Sequence, residues 1–96
     1  MRFEWDVEKE EANRRRHGIS FEEAKGLFTS GVDFLEIYDA EHSYEEDRFI
    51  AVGLVGRGLI VVVYTERQEY VIRIISARYA TTSESRLFQT YKGEES

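Results

Sequence analysis

Three arginines in the second half of the chain have the spacing of groups that act on a charged partner. Arg67 precedes the run YVIRIISAR, residues 70–78, which contains Arg73 and Arg78. The run has the composition of a buried strand, so apolar packing does not explain a guanidinium in its middle. Arginine suits bidentate contact with phosphate and stacking on bases. The pattern indicates either a phosphodiester site or structural pairing with carboxylates such as Glu84.

Two further groups have acid–base capacity. Glu46 and Arg48 are expected on the same side of the chain where a strand begins. Either Glu46 is an acid or base whose pKa the Arg48 guanidinium shifts, or the two residues form a salt bridge at the edge of the sheet. Glu46 is also a candidate structural partner for the arginines named above. His17 follows three consecutive arginines, residues 14–16. These arginines either stabilise the C-terminus of a helix or form a phosphate-binding edge. His17 accordingly either hydrogen-bonds the last carbonyls of that helix or acts as an acid or base beside a phosphate.

Aromatic side chains accompany the arginines, whereas metal ligands do not cluster. Tyr64, Tyr70 and Tyr79 are either stacking platforms for bases or ordinary strand residues. His17 and His42 have no ligand spacing to each other or to an acidic group, so we expect no metal and no other cofactor. The chain has no cysteine, which excludes disulfides and thiolate-bound zinc.

The order of caps and periodic segments predicts an α+β domain. Helix N-caps are expected at Asp6, Ser20 and Thr81, the last two in capping boxes with Glu23 and Glu84. The predicted order is β-α-α-β-β-β-β-α. It comprises a strand over residues 1–5, helices over 7–17 and 21–30, strands over 32–38, 48–54, 59–65 and 70–77, and a helix from 82 toward 91.

Short connections predict an antiparallel sheet with helices packed on one face. Strict alternation in the last strand puts Val71, Arg73 and Ile75 on one face and Ile72, Ile74 and Ser76 on the other. One face packs under helices and the other is more open. Arg73 fits only the open one.

Charge and composition narrow the class of protein. The formal net charge is −6, and residues 31–50, with seven acids and one arginine, account for all of it. The rest of the chain has no net charge, and its basic residues are clustered. One acidic segment on a neutral domain is compatible with a basic protein partner or with local contact with RNA. The N-terminus lacks the apolar segment of a signal peptide, and no stretch is long enough for a membrane helix. We expect one cytoplasmic domain over residues 1–96 with a frayed tail at 92–96 and no membrane association.

An ordered set of short segments resembles the BrnT family of bacterial type II toxins. No single segment is diagnostic, but the set keeps its order and compatible spacing from residue 3 to about residue 88. The chain departs from the family in its last helix, where it has Glu84-Ser85 and Phe88 rather than Glu-Arg followed by tyrosine. The matching segments are Phe3-Glu4-Trp5-Asp6, Lys9, Asn13, His17-Gly18-Ile19, Phe21-Glu22-Glu23-Ala24, Glu46-Asp47-Arg48-Phe49, Gly53, Val63-Tyr64-Thr65-Glu66-Arg67 and Arg73-Ile74-Ile75-Ser76-Ala77-Arg78-Tyr79-Ala80.

The resemblance implies a RelE/ParE-like fold, with two N-terminal helices and one C-terminal helix on an antiparallel sheet. It implies a ribonuclease that cuts RNA and inhibits translation. It also implies a cognate antitoxin that neutralises the toxin, forms a heterotetramer with it, and mediates any contact with operator DNA. A homodimer is a further possibility.

RNA cleavage by its own 2′-hydroxyl needs a base, an acid for the leaving oxygen and positive charge around the phosphate. Our hypothesis assigns phosphate and transition-state stabilisation to Arg67 and Arg78, and the base to Glu46 or His17. It assigns the positioning of the RNA to three further residues, Lys9, Arg48 and Arg73. No metal is required. Two alternatives remain: a non-catalytic protein-binding module of the same fold, and a toxin with another target such as topoisomerase.

Overall fold

The fold is a five-stranded sheet with helices on both sides, in a computed structural model that describes residues 1–56 and 58–95. A short 3-10 turn at Ala40–His42 lies in the acidic connection, and no described helix is long and apolar enough to cross a membrane. The elements are β1 (Arg2–Glu4), α1 (Val7–His17), α2 (Phe21–Thr29), β2 (Phe34–Tyr38), β3 (Phe49–Val55), β4 (Gly58–Arg67), β5 (Val71–Tyr79) and α3 (Thr82–Glu95).

The predicted helix caps are confirmed. The Asp6 carboxylate accepts a hydrogen bond from the Lys9 amide at 3.1 Å and starts α1. Ser20 and Glu23 form the capping box of α2. Thr81 exchanges the equivalent bonds with Glu84 at the start of α3. Helix α3 runs beyond the expected end at residue 91, while Arg57 and Ser96 lie outside the described residues.

The strand order is β1-β5-β4-β3-β2. Strands β2 to β5 form the predicted antiparallel meander. Strand β1 adds to the edge beside β5 in the parallel sense, with Glu4 opposite Arg73. The sheet is therefore mostly rather than wholly antiparallel. Because β1 is only three residues long, it leaves the remainder of the β5 edge open to contact from α1.

The prediction that all helices pack on one face is wrong. Helix α2 covers one face, where Phe21, Ala24 and Leu27 join a core with strand residues such as Val62 and Tyr64. Helix α3 crosses the opposite face, where Phe88 packs on two buried valines of β3 and β4. Strand β4 carries apolar residues on both faces, so its pattern alone does not say which side each helix covers.

A β-bulge in β5 changes which side chains share a face. The β4–β5 register shifts between Val63 and Tyr64, so that Ile74 lies opposite Tyr64 and Ser76 lies opposite Val63. Ile75 is the extra residue, and alternation restarts after it. Ser76 therefore lies on the face of Arg73, which corrects the prediction that it shares a face with Ile72 and Ile74. The bulge also brings Arg78, which strict alternation would place on the opposite face, onto the face of Arg73.

Helix α1 is attached to the sheet by polar contacts rather than by an apolar stripe. Its one buried residue is Asn13. The Asn13 amide donates to the carbonyl oxygens of Ile19 and Ala77 at 3.1 and 2.9 Å, and its oxygen accepts from the Ala77 amide at 3.1 Å. Asn13 thus completes the hydrogen bonding of the β5 edge where β1 has ended.

Gly53 provides a test of the packing between α2 and the sheet. A Cβ atom at this position would lie 2.5 Å from Leu27 Cδ1 and 2.9 Å from Phe34 Cβ. We expect Gly53→Ala to lower the free energy of unfolding by about 1–3 kcal/mol through overpacking, measured by urea titration. Gly26→Ala is the control, because its Cβ would make an ordinary 3.5 Å contact with Val55. Equal stability of the two variants would contradict this account.

Candidate functional site

The part of the sheet that α3 leaves uncovered carries three arginines, and we call it the arginine face. Arg73 lies opposite Thr65 of β4 and beside Glu4 of β1. Continuing the β3–β4 register by one residue puts Arg48 on the other side of Thr65. Arg67 lies two residues beyond Thr65 on the same face. The arginine face is defined by Arg48, Arg67 and Arg73, with Arg78 at its border with α3.

The acidic connection brings Glu46 to this face. The Glu46 carboxylate lies 3.8 Å from Arg67 Nε, and both side chains are substantially exposed. The Thr65 hydroxyl donates to the Asp47 carbonyl at 2.7 Å and so fixes the end of the connection on β4. Among the described residues, no hydrogen bond or ion pair involves the Arg48 guanidinium, which lines a small cleft with Glu46. Predicted site residues Glu46, Arg48 and Arg67 therefore lie together.

Arg73 and Arg78 each have a carboxylate partner in the free protein. Arg73 donates to Glu4 at 2.7 Å. Arg78 makes a bidentate pair with Glu84 of α3, with both distances 2.7 Å, and also donates to the Tyr79 carbonyl at 3.3 Å. Two of the five N–H groups of the Arg78 guanidinium remain for another anion. The structural pairing considered from the sequence is thus present at both arginines, with Glu4 in the place of Glu46.

The Arg78–Glu84 pair shifts the ionisation of both groups. The hydrogen bond with Arg78 lowers the pKa of Glu84 from 4.5 to about 2, and the bond with Glu84 raises the pKa of Arg78. A depressed carboxyl pKa stabilises the fold above the ordinary value, and this contribution is lost as pH falls toward the folded value. The pair thereby fastens the start of α3 to β5 at neutral pH.

This linkage predicts a specific pH dependence. We expect the stability of the wild-type protein to fall between pH 4.5 and about 2 partly because Glu84 becomes protonated. Glu84→Gln should be less stable than wild type at pH 7, and the difference should shrink across that window. Urea midpoints measured against pH give the test, with Glu22→Gln on the exposed side of α2 as control. A constant difference at every pH would contradict the assignment.

His17 and Lys9 lie apart from the Glu46–Arg67 pair. Both line a cleft between α1 and the open edge of β5, and β4 and β5 separate this cleft from β3. The structure therefore does not bring the two candidate bases, His17 and Glu46, together. We call this the edge cleft. Its lining residues are Lys9, Ala12, Asn13, Arg16, His17, Ile75 and Ser76.

The tyrosines do not form a stacking platform beside the arginines. Tyr64 is 1% exposed in the core under α2, on the face opposite the arginine face. Its hydroxyl donates a hydrogen bond to Glu36. Burial is the main cause that raises the pKa of the phenol, and the hydrogen bond with Glu36 raises it further. Tyr79 lies against Gly58 on the α2 side, and Tyr70 belongs to the β4–β5 turn with φ +69°. The positions of Tyr64 and Tyr79 favour the structural interpretation, whereas Tyr70 is exposed in a turn.

Three residues at these sites were not singled out as candidates. Glu4 holds Arg73, Asn13 holds the β5 edge, and Ser76 lines the edge cleft. Arg16 belongs to the arginine run that the sequence left open as a phosphate-binding edge, and helical spacing puts it on one stripe of α1 with positions 9, 12, 13 and 17. Nothing in the sequence marks the parallel pairing that brings Glu4 to Arg73. The departure from the family at Phe88 falls on a core residue, 6% exposed.

Comparisons with known proteins assign the family. The model of "Ribonuclease toxin, BrnT, of type II toxin-antitoxin system" matches residues 5–84. The crystal structure of the Brucella abortus ribonuclease toxin BrnT has the same fold, with a TM-score of 0.66 at 21% identity over 85% of this chain and 99% of that one. Among curated proteins, none matches the chain. The chain belongs to the BrnT family, the ribonuclease toxins of type II toxin–antitoxin systems.

Proposed function

We propose that this ribonuclease toxin binds and cleaves RNA on the arginine face. The observation that supports the proposal is the bulge at Ile75, which puts Arg78 on the face that Arg67 and Arg73 share. A bulge that re-aims side chains is common beside functional sites. Arg67 supplies positive charge for the scissile phosphodiester and its cleavage transition state, and Arg73 and Arg78 extend the basic surface along β5 for the rest of the RNA backbone.

In the proposed mechanism, Arg67 contacts the scissile phosphate and stabilises the charge that develops on its oxygens. Arg78 lies opposite Val61, about 20 Å along β4 from Arg67, so it binds the RNA backbone at another phosphate. Glu46 accepts the proton of the 2′-hydroxyl, because the 3.8 Å contact with Arg67 Nε places its carboxylate beside the bound phosphate. The 2′-oxygen attacks phosphorus, and the 5′-oxygen leaves. A proton must reach that leaving oxygen, and water is one source for it. Arg48 and Arg73 bind the neighbouring backbone, and the reaction needs no metal.

The ion pairs of the free protein fit this role. A phosphate that approaches the face competes with Glu4 for Arg73 and with Glu46 for Arg67. Both pairs are partly exposed, and such pairs are weak, so their exchange for a phosphate has a small cost. The carboxylates hold the guanidinium groups in position before RNA arrives, which reduces the entropy lost on binding.

Membership of a type II toxin–antitoxin family implies that this toxin has an antitoxin as its protein partner. We further propose that the complex is a heterotetramer, that the toxin meets operator DNA only through the antitoxin, and that it acts in the cytoplasm as one domain over residues 1–96. A homodimer of the toxin alone is the alternative assembly. Light scattering of the purified toxin and of the co-purified complex distinguishes these states.

Expression in a bacterial host tests the function. We expect the chain alone to arrest growth with breakdown of total RNA, and co-expression of the antitoxin to relieve both effects. Growth arrest with intact RNA and inhibited DNA supercoiling would instead indicate a topoisomerase target. Normal growth with folded, expressed protein would indicate the binding module.

A further inference from the structure

The edge cleft gathers basic side chains without a carboxylate among them. Lys9, Arg16 and His17 line it, and no carboxylate does. Within residues 1–56 and 58–93, none of these three side chains takes part in an ion pair. Their neighbours on the other side of α1 are paired, Arg14 with Glu10 and Arg15 with Glu11. In a chain of net charge −6, this local absence of acids needs an explanation.

Packing does not supply that explanation. Positions 9, 12, 13, 16 and 17 form the stripe of α1 that faces β5, and such a stripe is normally apolar. Here it carries long cations at both ends and Ala12 in the middle, which leaves the cleft open. Because Asn13 alone anchors the stripe, the cations are not required to hold α1 on the sheet.

The edge cleft is continuous with the arginine face. Ser76 lines the cleft, and the bulge places Ser76 on the same face as Arg73 and Arg78. Ser76 lies opposite Val63, so a backbone bound at Arg67 runs four residues along β4 and crosses β5 before it reaches α1. Neighbouring strands lie about 4.8 Å apart. A chain of regularly spaced phosphates is the ligand that fits a row of cations along this path.

We propose that the edge cleft is a second RNA-backbone site, which binds phosphates flanking the one that is cleaved. Lys9 and Arg16 contact those phosphates, and His17 is a positioning residue for the RNA rather than the acid or base of the reaction. This inference rests on the proposed function, because the arginine face must hold the scissile phosphate. The inference implies that the affinity of the toxin for RNA rises when the RNA is long enough to reach both sites.

The test compares Lys9→Ala/Arg16→Ala with Arg14→Ala/Arg15→Ala, which removes the same charge from the exposed side of α1. The probe is fluorescein-labelled 2′-O-methyl oligouridylate, long or short, followed by anisotropy against salt. For the long probe, we expect affinity of the cleft variant to fall on the order of tenfold. The slope of log K against log salt should fall by about 0.7 per cation removed. The short probe and the control variant should behave as wild type.

Cleavage kinetics separate the roles of the two sites. We expect the cleft variant, and His17→Ala alone, to raise KM on long RNA without lowering kcat. A loss of kcat in His17→Ala with unchanged KM would overturn the inference, because it would make His17 an acid or base. Equal loss of affinity in the two charge variants would also overturn it, since net charge alone would then be responsible.

Failure of this inference is distinguishable from failure of the proposed function. If the wild-type protein cleaves RNA and the cleft variant binds both probes as wild type does, the second site is refuted while the cleavage site stands. If the wild-type protein does not cleave RNA, the proposed function fails regardless of the cleft. Loss of antitoxin binding with unchanged RNA affinity would make the cleft a protein contact and overturn the inference.

Discussion

The double variant Arg67→Ala/Arg78→Ala is expected to lose RNA cleavage on the order of 10³-fold in kcat/KM. Removing one group that stabilises transition-state charge costs about 10²–10³-fold in many enzymes, and Arg67 is assigned this role, while Arg78 binds the RNA backbone on the same face. Single-turnover cleavage of a labelled RNA measures the loss. In the host, the same variant should no longer arrest growth.

The control for this prediction must separate chemistry from folding and from net charge. Arg14→Ala/Arg15→Ala removes two arginines from the exposed side of α1 and should retain cleavage. Because Arg78 fastens α3 through Glu84, the urea midpoint of the catalytic variant has to be recorded as well. A folded Arg67→Ala/Arg78→Ala protein that still arrests growth would show that the two arginines are wrongly assigned.

The largest expected effect on stability is that of Asn13→Ala. The substitution removes three hydrogen bonds and leaves the buried amide and carbonyl of Ala77 and the carbonyl of Ile19 without these partners. An unsatisfied buried polar group costs about 1–3 kcal/mol, so we expect a loss of about 3 kcal/mol or more. That is a large fraction of the stability of a domain of this size. Urea unfolding at pH 7 measures it.

Arg15→Ala provides the reference for that measurement. Its side chain is exposed and reaches Glu11 only at 4.0 Å, so its loss should change the free energy of unfolding by less than about 0.5 kcal/mol. Hydrogen exchange of the Ala77 amide should accelerate in Asn13→Ala and stay slow in Arg15→Ala. A stability loss below about 1 kcal/mol for Asn13→Ala would mean that apolar contacts, rather than Asn13, hold α1 to the sheet.

Local signals in the sequence predicted the elements well. The cap residues Asp6, Ser20 and Thr81 begin the three helices at the expected positions, because the side chain and the amides that it caps are neighbours in the chain. Gly18 ends α1 with φ +73°, a conformation that favours glycine. The meander followed from short connections between strands.

What the sequence did not predict depends on contacts between distant residues. The bulge at Ile75 depends on the pairing of β5 with β4, and every residue of VIRIIS is compatible with a regular strand. It reversed the face of Ser76 and decided that Arg78 accompanies Arg73. The partner of Arg73 likewise follows from parallel addition of β1, which brings Glu4 across 69 positions of sequence. The sequence also predicted the wrong face for α3, because apolar residues on both sides of β4 do not show which side each helix covers.

The most direct test of the central claim is the chemistry of the RNA ends that the purified toxin produces with a chelator present. Attack by the 2′-hydroxyl on the arginine face predicts 2′,3′-cyclic phosphate and 5′-hydroxyl ends. It also predicts no cleavage at a nucleotide whose 2′-oxygen is methylated, and a large loss of the same products in Arg67→Ala/Arg78→Ala. Products with 5′-phosphate ends, or cleavage that the chelator abolishes, would contradict the account, because an activated water would then be the nucleophile.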